Sequence, residues 1–218
     1  MKNYENYLDV LEMTGLFKDI NDAERRALLD CMNAKTVNVK KGQIILLTGN
    51  KLEFFGIVLT GQFHIIRENY DGNRSLLTSM PPAGIFAEAL CCAGVTISPV
   101  TVIAVENSCY MQLNFTHFLK TCSVSCPFHV KLIENMTGII AKKNLMMQNK
   151  MEILELKTIR EKVMRYLESF NEPDITLPFN REEMADFLCV ERSALSHELI
   201  KMKNDGLINY KKNKFLLL

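Results

Sequence analysis

Residues 180–215 read NREEMADFLCVERSALSHELIKMKNDGLINYKKNKF, and this stretch decides which fold the sequence predicts. Its first half has the spacing of two short helices joined by a tight connection over residues 188–191. Asn180 and Glu183 form a capping box, because a polar N-cap residue is followed three positions later by a carboxylate. After Gly206 a short apolar run leads into a lysine-rich hairpin. The stretch therefore predicts two crossing helices followed by a basic hairpin.

The apolar residues of the two helices fall on one side of each helix, so that they can pack together. They are Met184, Phe187 and Leu188 on the first helix and Leu195, Leu199 and Met202 on the second, with the small Ala185 at the crossing. Two such helices followed by a hairpin are typical of a winged helix-turn-helix, whose second helix lies in the major groove of DNA.

The DNA contacts predicted from this arrangement come from the start of the first helix, the outward face of the second helix and the hairpin. They are Asn180 and Arg181, then Arg192, Ser193, Ser196, His197 and Lys201, then Lys211, Lys212 and Lys214. Arg192 is expected to contact bases, whereas the hairpin lysines suit phosphates. The alternative is an ordinary solvated surface. Glu191 favours the helix dipole but is expected to cap the second helix poorly.

Positive charge is concentrated in this same region. The 218 residues carry a net charge of +1, which excludes a bulk polycation, but from Arg192 onward six basic residues face two acidic ones, a local excess of +4. Seven cysteines without disulfide spacing, and an N-terminal region interrupted by charges, predict a reduced, cytoplasmic protein. The uncharged run 89–105 contains Gly94, Ser98 and Pro99, so it predicts a loop and a buried strand rather than a membrane span.

In the rest of the chain the spacing of apolar residues changes twice along the sequence. Residues 4–34 have helical spacing, and residues 35–114 form short β-rich runs cut by turns, including the hairpin signal Asp71-Gly72. Many short strands at this spacing predict a β-barrel, jelly roll or sandwich. We therefore expect three parts: a sensor domain over residues 1–126, a dimerisation helix over residues 127–156, and a DNA-binding domain over residues 157–218.

The predicted dimerisation helix rests on a seven-residue repeat. Apolar pairs recur at 132–133, 139–140, 146–147 and 153–154, which favours a helix that pairs with a copy of itself. A helix over residues 128–155 is about 42 Å long at 1.5 Å per residue. The residues expected at the dimer interface are Ile133, Met136, Ile140, Lys143, Met147 and Leu154. The alternative is a helix buried against its own β-domain.

Taken together, the chain resembles the Crp/Fnr family of bacterial transcription regulators over nearly its whole length. The resemblance is carried by residues 181–199 and 206–208, and by Lys41-Gly42-Gln43-Ile44, Leu59-Thr60-Gly61 and Phe86-Ala87-Glu88-Ala89-Leu90. It implies an α+β fold with an N-terminal β-roll (jelly-roll) sensor, a long dimerisation helix and a C-terminal winged helix-turn-helix. It also implies a non-enzymatic homodimer on double-stranded DNA, with RNA polymerase and a small-molecule effector as further partners.

Two departures from the family limit what the resemblance implies. The family usually has an arginine at the position of His197, where it reads guanine through a bidentate contact that histidine cannot make. The effector site implied by the resemblance is Glu88, Ala89, Ser98 and Val100. Members that bind cyclic AMP grip its phosphate with an arginine, but here Ser98 or its neighbours occupy that position. The sequence therefore argues against cyclic AMP as the effector.

Other cofactors and sites find little support in the sequence. Only Cys31 precedes residue 90, which argues against the iron-sulfur cluster of some members. The vicinal Cys91 and Cys92 fit either a thiol switch or inert buried cysteines.

No metal site and no enzyme active site are expected. His117, Cys122, Cys126 and His129 follow no zinc spacing, and His64 lacks the partner ligands of a metal-binding cupin. The rival interpretation is a ligand or thiol-redox sensor whose helix-turn-helix contacts only proteins.

Overall fold

The structure is a computed structural model that describes residues 5–68, 74–119 and 127–218, without the side chains of residues 74, 119 and 127. It divides into two compact units: Met1–Arg67 with Met80–Lys143, and Glu68–Ser79 with Asn144–Leu218. The elements of the described residues follow in chain order. They are α1 (Leu8–Met13), α2 (Asp22–Cys31), β1 (Lys35–Val39), β2 (Ile44–Leu46), β3 (Phe54–Thr60), β4 (Phe63–Glu68), β5 (Arg74–Met80), β6 (Ile85–Phe86), α3 (Glu88–Cys92), β7 (Thr101–Ala104), β8 (Ser108–Asn114), α4 (Phe115–Leu119), α5 (Pro127–Glu155), α6 (Ile159–Glu168), β9 (Asp174–Thr176), α7 (Arg181–Leu188), α8 (Arg192–Asn204), β10 (Ile208–Lys211) and β11 (Lys214–Leu217).

Antiparallel sheets form the body of the first unit. One sheet has the strand order β1-β8-β3-β6, and a second includes β2, β7 and β4 in that order. The α+β fold with an N-terminal β-sandwich is therefore confirmed. The short helix α2 begins with a capping box between Asn21 and Glu24.

Aromatic side chains fill the core of this unit. Phe55, Phe63 and Phe86 are almost completely buried, and Phe63 and Phe86 pack against each other with ring centroids 5.9 Å apart. Gly56 is required on β3, because a Cβ atom there would overlap the ring of Phe86. This close approach fixes the end of β6 and hence the start of α3, where the predicted effector residues begin.

The second unit holds the C-terminal helices and a small sheet. The sheet has the order β10-β11-β9, and β10 and β11 form a hairpin in which Lys211 lies opposite Lys214. Helix α6 begins at a capping box formed by Thr158 and Glu161. This is the winged helix-turn-helix that the sequence predicts.

Several sequence features lie outside the described residues or carry no site within them. Asp71-Gly72, Cys122 and Cys126 fall in the gaps. Within the described ranges, no three His, Cys, Asp or Glu side chains are grouped so that they would hold a metal ion. Among the helices that the structure describes, none combines the length and apolar character needed to cross a membrane.

Candidate DNA-binding surface and sensor site

Helices α7 and α8 pack through the apolar faces that the sequence predicts. Met184, Leu188, Leu195 and Leu199 are each at most 1% exposed, whereas Phe187 is only half-buried. Asn180 is the N-cap of α7, and its side-chain oxygen accepts hydrogen bonds from the backbone amides of Glu182 and Glu183. The Glu183 carboxylate in turn accepts a hydrogen bond from the Asn180 amide, so the predicted capping box is present. The side-chain oxygen of Asn180 is thus engaged in the helix start.

The outward face of α8 is polar and open. Arg192, Ser193, His197 and Lys201 are exposed, and Ser196 is half-buried with its hydroxyl donating to the Arg192 carbonyl at 2.9 Å. The Arg192 guanidinium lies 3.8 Å from Glu182 in an exposed ion pair, which a phosphate or base can replace at little cost.

Glu191 caps α8, contrary to the expectation that it would cap poorly. Its extended backbone lets the carboxylate reach the Ala194 amide at 2.8 Å, and the Ser193 hydroxyl donates to the same oxygen. These hydrogen bonds, that of the Ser193 hydroxyl above all, lower the pKa of Glu191 to about 2. The expectation was wrong because the Glu191 side chain reaches far enough to accept the hydrogen bond from the Ala194 amide, which a shorter cap residue usually accepts.

Arg181 is held against the wing rather than extended toward a ligand. Its guanidinium carbon lies 4.9 Å from the ring centroid of Tyr210 and 5.4 Å from that of Phe215, and Nη2 donates to the Lys212 carbonyl at 3.3 Å. Burial lowers its pKa. Arg181 therefore fixes the wing to the start of α7.

The wing lysines lie at an anchored hairpin tip. Lys211, Lys212 and Lys214 are exposed, and Lys212 has a positive φ of 57° in the two-residue turn. Asn213 holds the turn in place, because its side-chain amide donates to the Leu177 carbonyl at 2.8 Å. The three charges are thus presented at a defined position.

Arg160 orients α8, and the sequence analysis missed it. Its Nε lies 2.6 Å from Glu198, and its Nη1 lies 2.7 Å from Asp205, so one guanidinium on α6 joins the middle of α8 to its C-terminal end. The available signal was weak, since it consists of one arginine near the start of a helix and two distant carboxylates.

One of the predicted effector residues, Glu88, belongs to an internal ion pair. Glu88 begins α3 and is only 3% exposed, and the Lys143 ammonium group lies 2.6 Å from its Oε1 and also donates to the Ile85 carbonyl. Ser98 is buried with its hydroxyl donating to the Val100 carbonyl at 2.7 Å, and Ala89 is exposed. Within the described residues, the cation that pairs with the Glu88 carboxylate is Lys143 of the same chain.

The vicinal cysteines do not resemble a reactive pair. Cys91 is buried, its thiol donates to the Phe54 carbonyl at 3.4 Å, and burial, followed by the neighbouring Cys92 and Glu88, raises its pKa to about 12. The pKa of Cys92 is also raised, because protein atoms around the thiol partly desolvate it and the Glu88 carboxylate opposes a second negative charge, although the residue as a whole is exposed. Both thiols therefore stay protonated at neutral pH, which opposes the thiol switch.

Two family models match the chain. Residues 36–125 match the cyclic nucleotide-binding domain, and residues 153–218 match the Crp-like helix-turn-helix domain. The chain belongs to the Crp/Fnr family of transcription regulators. The resemblance seen in the sequence is confirmed, and the family is not enzymatic. No curated protein sequence matches the chain.

Solved structures of Crp/Fnr-type proteins share the fold. The c-di-GMP-responsive regulator CLP of Xanthomonas campestris is 15% identical with a TM-score of 0.72, and the match covers 90% of this chain and 99% of that one. FixK2 of Bradyrhizobium japonicum is 17% identical with a TM-score of 0.66, over 84% and 92% of the two chains. A transcriptional regulator of the CRP family from Thermus thermophilus is 18% identical with a TM-score of 0.61, over 84% and 91%. At these identities the likeness shows the fold alone.

The long helix of this Crp/Fnr chain has two distinct faces. Its inner face is buried against the chain itself, through Leu132 and Met136 in the first unit and Lys150 and Ile153 in the second. Lys150 donates to the carbonyls of Leu76 and Leu77 at 3.1 and 3.0 Å. The alternative interpretation of the seven-residue repeat, burial against the chain itself, therefore describes the inner face, and pairing with a second copy stays a prediction for the other face.

The outer face carries a second stripe, which we call the outer stripe, at spacings of three and four residues. It consists of Val130, Ile133, Thr137, Ile140, Asn144, Met147, Met151 and Leu154. Ile133 and Ile140 are half-buried, because they also pack against the core of the first unit. Val130, Met147 and Met151 are 55%, 48% and 59% exposed. Four of the predicted interface residues belong to this stripe, whereas Met136 is buried in the core of its own unit and Lys143 binds Glu88.

Proposed function

We propose that this Crp/Fnr chain regulates transcription as a homodimer that binds a pseudo-palindromic site in double-stranded DNA. The observation that carries the proposal is the outward face of α8, where Arg192, Ser193, His197 and Lys201 are exposed while the opposite face packs on α7. A helix presented in this way suits the major groove, and a base-edge contact from Arg192 suits guanine.

The wing and the cap of α8 support the same proposal. Lys211, Lys212 and Lys214 suit phosphate groups beside the groove, because they add charge without sequence readout. Glu191 and Arg160 hold α8 at both its start and its end, so the reading face is preorganised before DNA binds.

The dimer is proposed to form through the outer stripe of α5. Its members follow the alternating three and four spacing of a two-stranded coiled coil, and the exposed methionines and half-buried isoleucines leave an apolar surface to cover. Two copies paired along this stripe would place two α8 helices on one face of a duplex, in half-sites about 34 Å apart.

Control by an effector in the β-sandwich is part of the proposal, and cyclic AMP does not suit the site. Glu88 is paired with Lys143, and Ser98 or its neighbours occupy the position of the phosphate-binding arginine in cyclic AMP-binding members. Ser98 is 1% exposed, and its hydroxyl donates to the Val100 carbonyl. An anionic phosphate would lose its hydration there without the arginine that pairs with it in those members, because the described Lys143 is already paired with Glu88.

Selection of binding sites from random duplex DNA, followed by titration at several salt concentrations, tests the proposal. We expect a pseudo-palindrome and an affinity that falls steeply with salt, because phosphate contacts release counterions. Binding of a small ligand without any salt-dependent DNA binding would instead favour a sensor whose helix-turn-helix contacts proteins. Transcription in vitro with RNA polymerase on the selected site then separates activation from repression.

A further inference from the structure

The polar outward face of α8 includes one large apolar side chain. Ile200 is 53% exposed, and among the residues of α8, all of which the structure describes, it is the one large aliphatic residue on that surface. It lies three positions after His197 and seven after Ser193, so the three side chains share one stripe of the helix.

The buried face of α8 in the described structure does not include Ile200. Leu195, Leu199 and Met202 supply the packing against the rest of the domain from the opposite side of α8. An exposed β-branched residue is a weaker helix former than the straight-chain residues that usually occupy such positions. The neighbouring Lys201 and Lys203 are exposed and basic, which suits a polyanion better than an apolar protein partner.

The major groove offers one apolar group to such a side chain. Thymine carries a 5-methyl group at the groove edge, and aliphatic side chains on recognition helices contact it. Ile200 lies about 4.5 Å further along the helix axis than His197. Since successive base pairs are about 3.4 Å apart, a base that faces Ile200 lies no more than one or two pairs from the base that faces His197.

We propose that Ile200 contacts the 5-methyl group of a thymine in each half-site and thereby contributes to sequence specificity. The inference rests on the proposed function, because it requires that α8 enters the major groove. In this proposal, the family's usual arginine at the position of His197 is missing, and the apolar contact of Ile200 supplies part of the sequence specificity that the arginine would give.

Replacement of dT by dU tests the contact, because it removes the methyl group and leaves the Watson–Crick edge unchanged. Each thymine of the selected half-site is replaced in turn, and the dissociation constant is measured by fluorescence anisotropy with the full-length protein. We expect one position at which dU weakens wild-type binding about fourfold, the effect of one buried methyl group. The Ile200→Ala variant should bind the dT and dU sites with equal affinity. That affinity should be close to the affinity of the wild-type protein for the dU site.

Lys201→Ala is the matched control on the same helix. It should weaken binding to the dT and dU sites by the same factor, because its effect does not depend on the methyl group. If the wild-type protein binds its selected site and tolerates dU at every position, the Ile200 contact is overturned and the proposed function stands. If the protein selects no DNA site at all, both are overturned.

Discussion

Lys143 on the long helix lies 2.6 Å from the carboxylate of Glu88, which is almost completely buried at the start of α3. The ammonium group also donates to the Ile85 carbonyl, so one lysine neutralises the carboxylate and satisfies the end of a strand. The sensor unit of this chain thus contains its own cation at the carboxylate that the family resemblance assigns to an effector. Because Lys143 belongs to α5, the same contact holds the helix to the β-sandwich.

Lys143→Met should destabilise the protein by about 1–3 kcal/mol, because it leaves the Glu88 carboxylate buried without its cation. The part of Lys143 that remains exposed keeps the effect below that of a fully buried pair. Glu88→Gln combined with Lys143→Met should recover part of the loss, which a double-mutant cycle by urea denaturation measures. The control is Lys142→Met, an exposed neighbour, and equal stabilities of the two single variants would contradict the prediction.

Met147→Glu should raise the dissociation constant of the dimer by at least about tenfold, because it buries an unpaired charge in the outer stripe. Met146→Glu is the matched control, since Met146 is 69% exposed but lies outside the stripe. Sedimentation equilibrium measures both variants, and circular dichroism checks that both are folded. Equal effects at the two positions would rule out the outer stripe as the dimer seam.

Glu191→Gln should lower stability at neutral pH, because it removes the charge that the Ala194 amide and Ser193 hydroxyl stabilise. The pKa of Glu191 is depressed in the folded state from 4.5 to about 2. The stabilisation is therefore fully present above about pH 4.5 and is lost as the pH falls through about 2. Thermal unfolding of both proteins across this range should show their difference shrinking. Glu172→Gln, in an exposed turn, provides the comparison, and a pH-independent difference would argue against the cap.

Cys189→Gly should raise stability by about 0.5–1 kcal/mol, because Cys189 ends α7 in the left-handed region where glycine is not strained. Its φ is 53°. Ala194→Gly within α8 should have the opposite sign, lowering stability by about 1 kcal/mol. Denaturation midpoints of the two variants measure both effects, and a loss of stability in Cys189→Gly would show that its side chain contributes more than its backbone strain.

Arg160→Lys should weaken DNA binding by about two- to fivefold although the charge is kept, because lysine cannot engage Glu198 and Asp205 with a planar fork. The selectivity for the specific site should fall, since α8 is less firmly oriented. Arg165→Lys is the control on the same helix, where the arginine makes one exposed ion pair with Glu152 at 3.5 Å. Unchanged selectivity in Arg160→Lys would limit Arg160 to a role in stability.

The parts of the fold that depend on short-range chemistry could be read from the sequence. The capping box at Asn180 and the apolar faces of α7 and α8 follow from spacing alone, and both are present in the structure. The repeat of apolar pairs on α5 was ambiguous, because adjacent residues such as Leu132 and Ile133 point to different faces of one helix. The spacing could not show which face the chain itself would cover.

Side chains that bind distant partners could not be placed from the sequence. Arg181 was expected at the DNA, but its guanidinium packs on Tyr210 and Phe215, which lie far away along the chain. Lys143 was expected at a dimer interface, and its partner Glu88 is brought to it by the β-sandwich. In both cases a long, flexible charged side chain had several possible partners, and only the tertiary structure selects one.

The lysine that pairs with Glu88 and the exposed methionines of the outer stripe are different residues of α5, so they can be substituted separately. In the proposed dimer, a substitution at Met147 or Met151 would change which copy of the chain it pairs with, while Glu88 and its lysine remain as they are. A substitution at Lys143 would free the Glu88 carboxylate without altering those exposed methionines. If the proposed dimer and effector site hold, pairing preference and signal response would therefore diverge independently after gene duplication, each under its own selection, along a single helix.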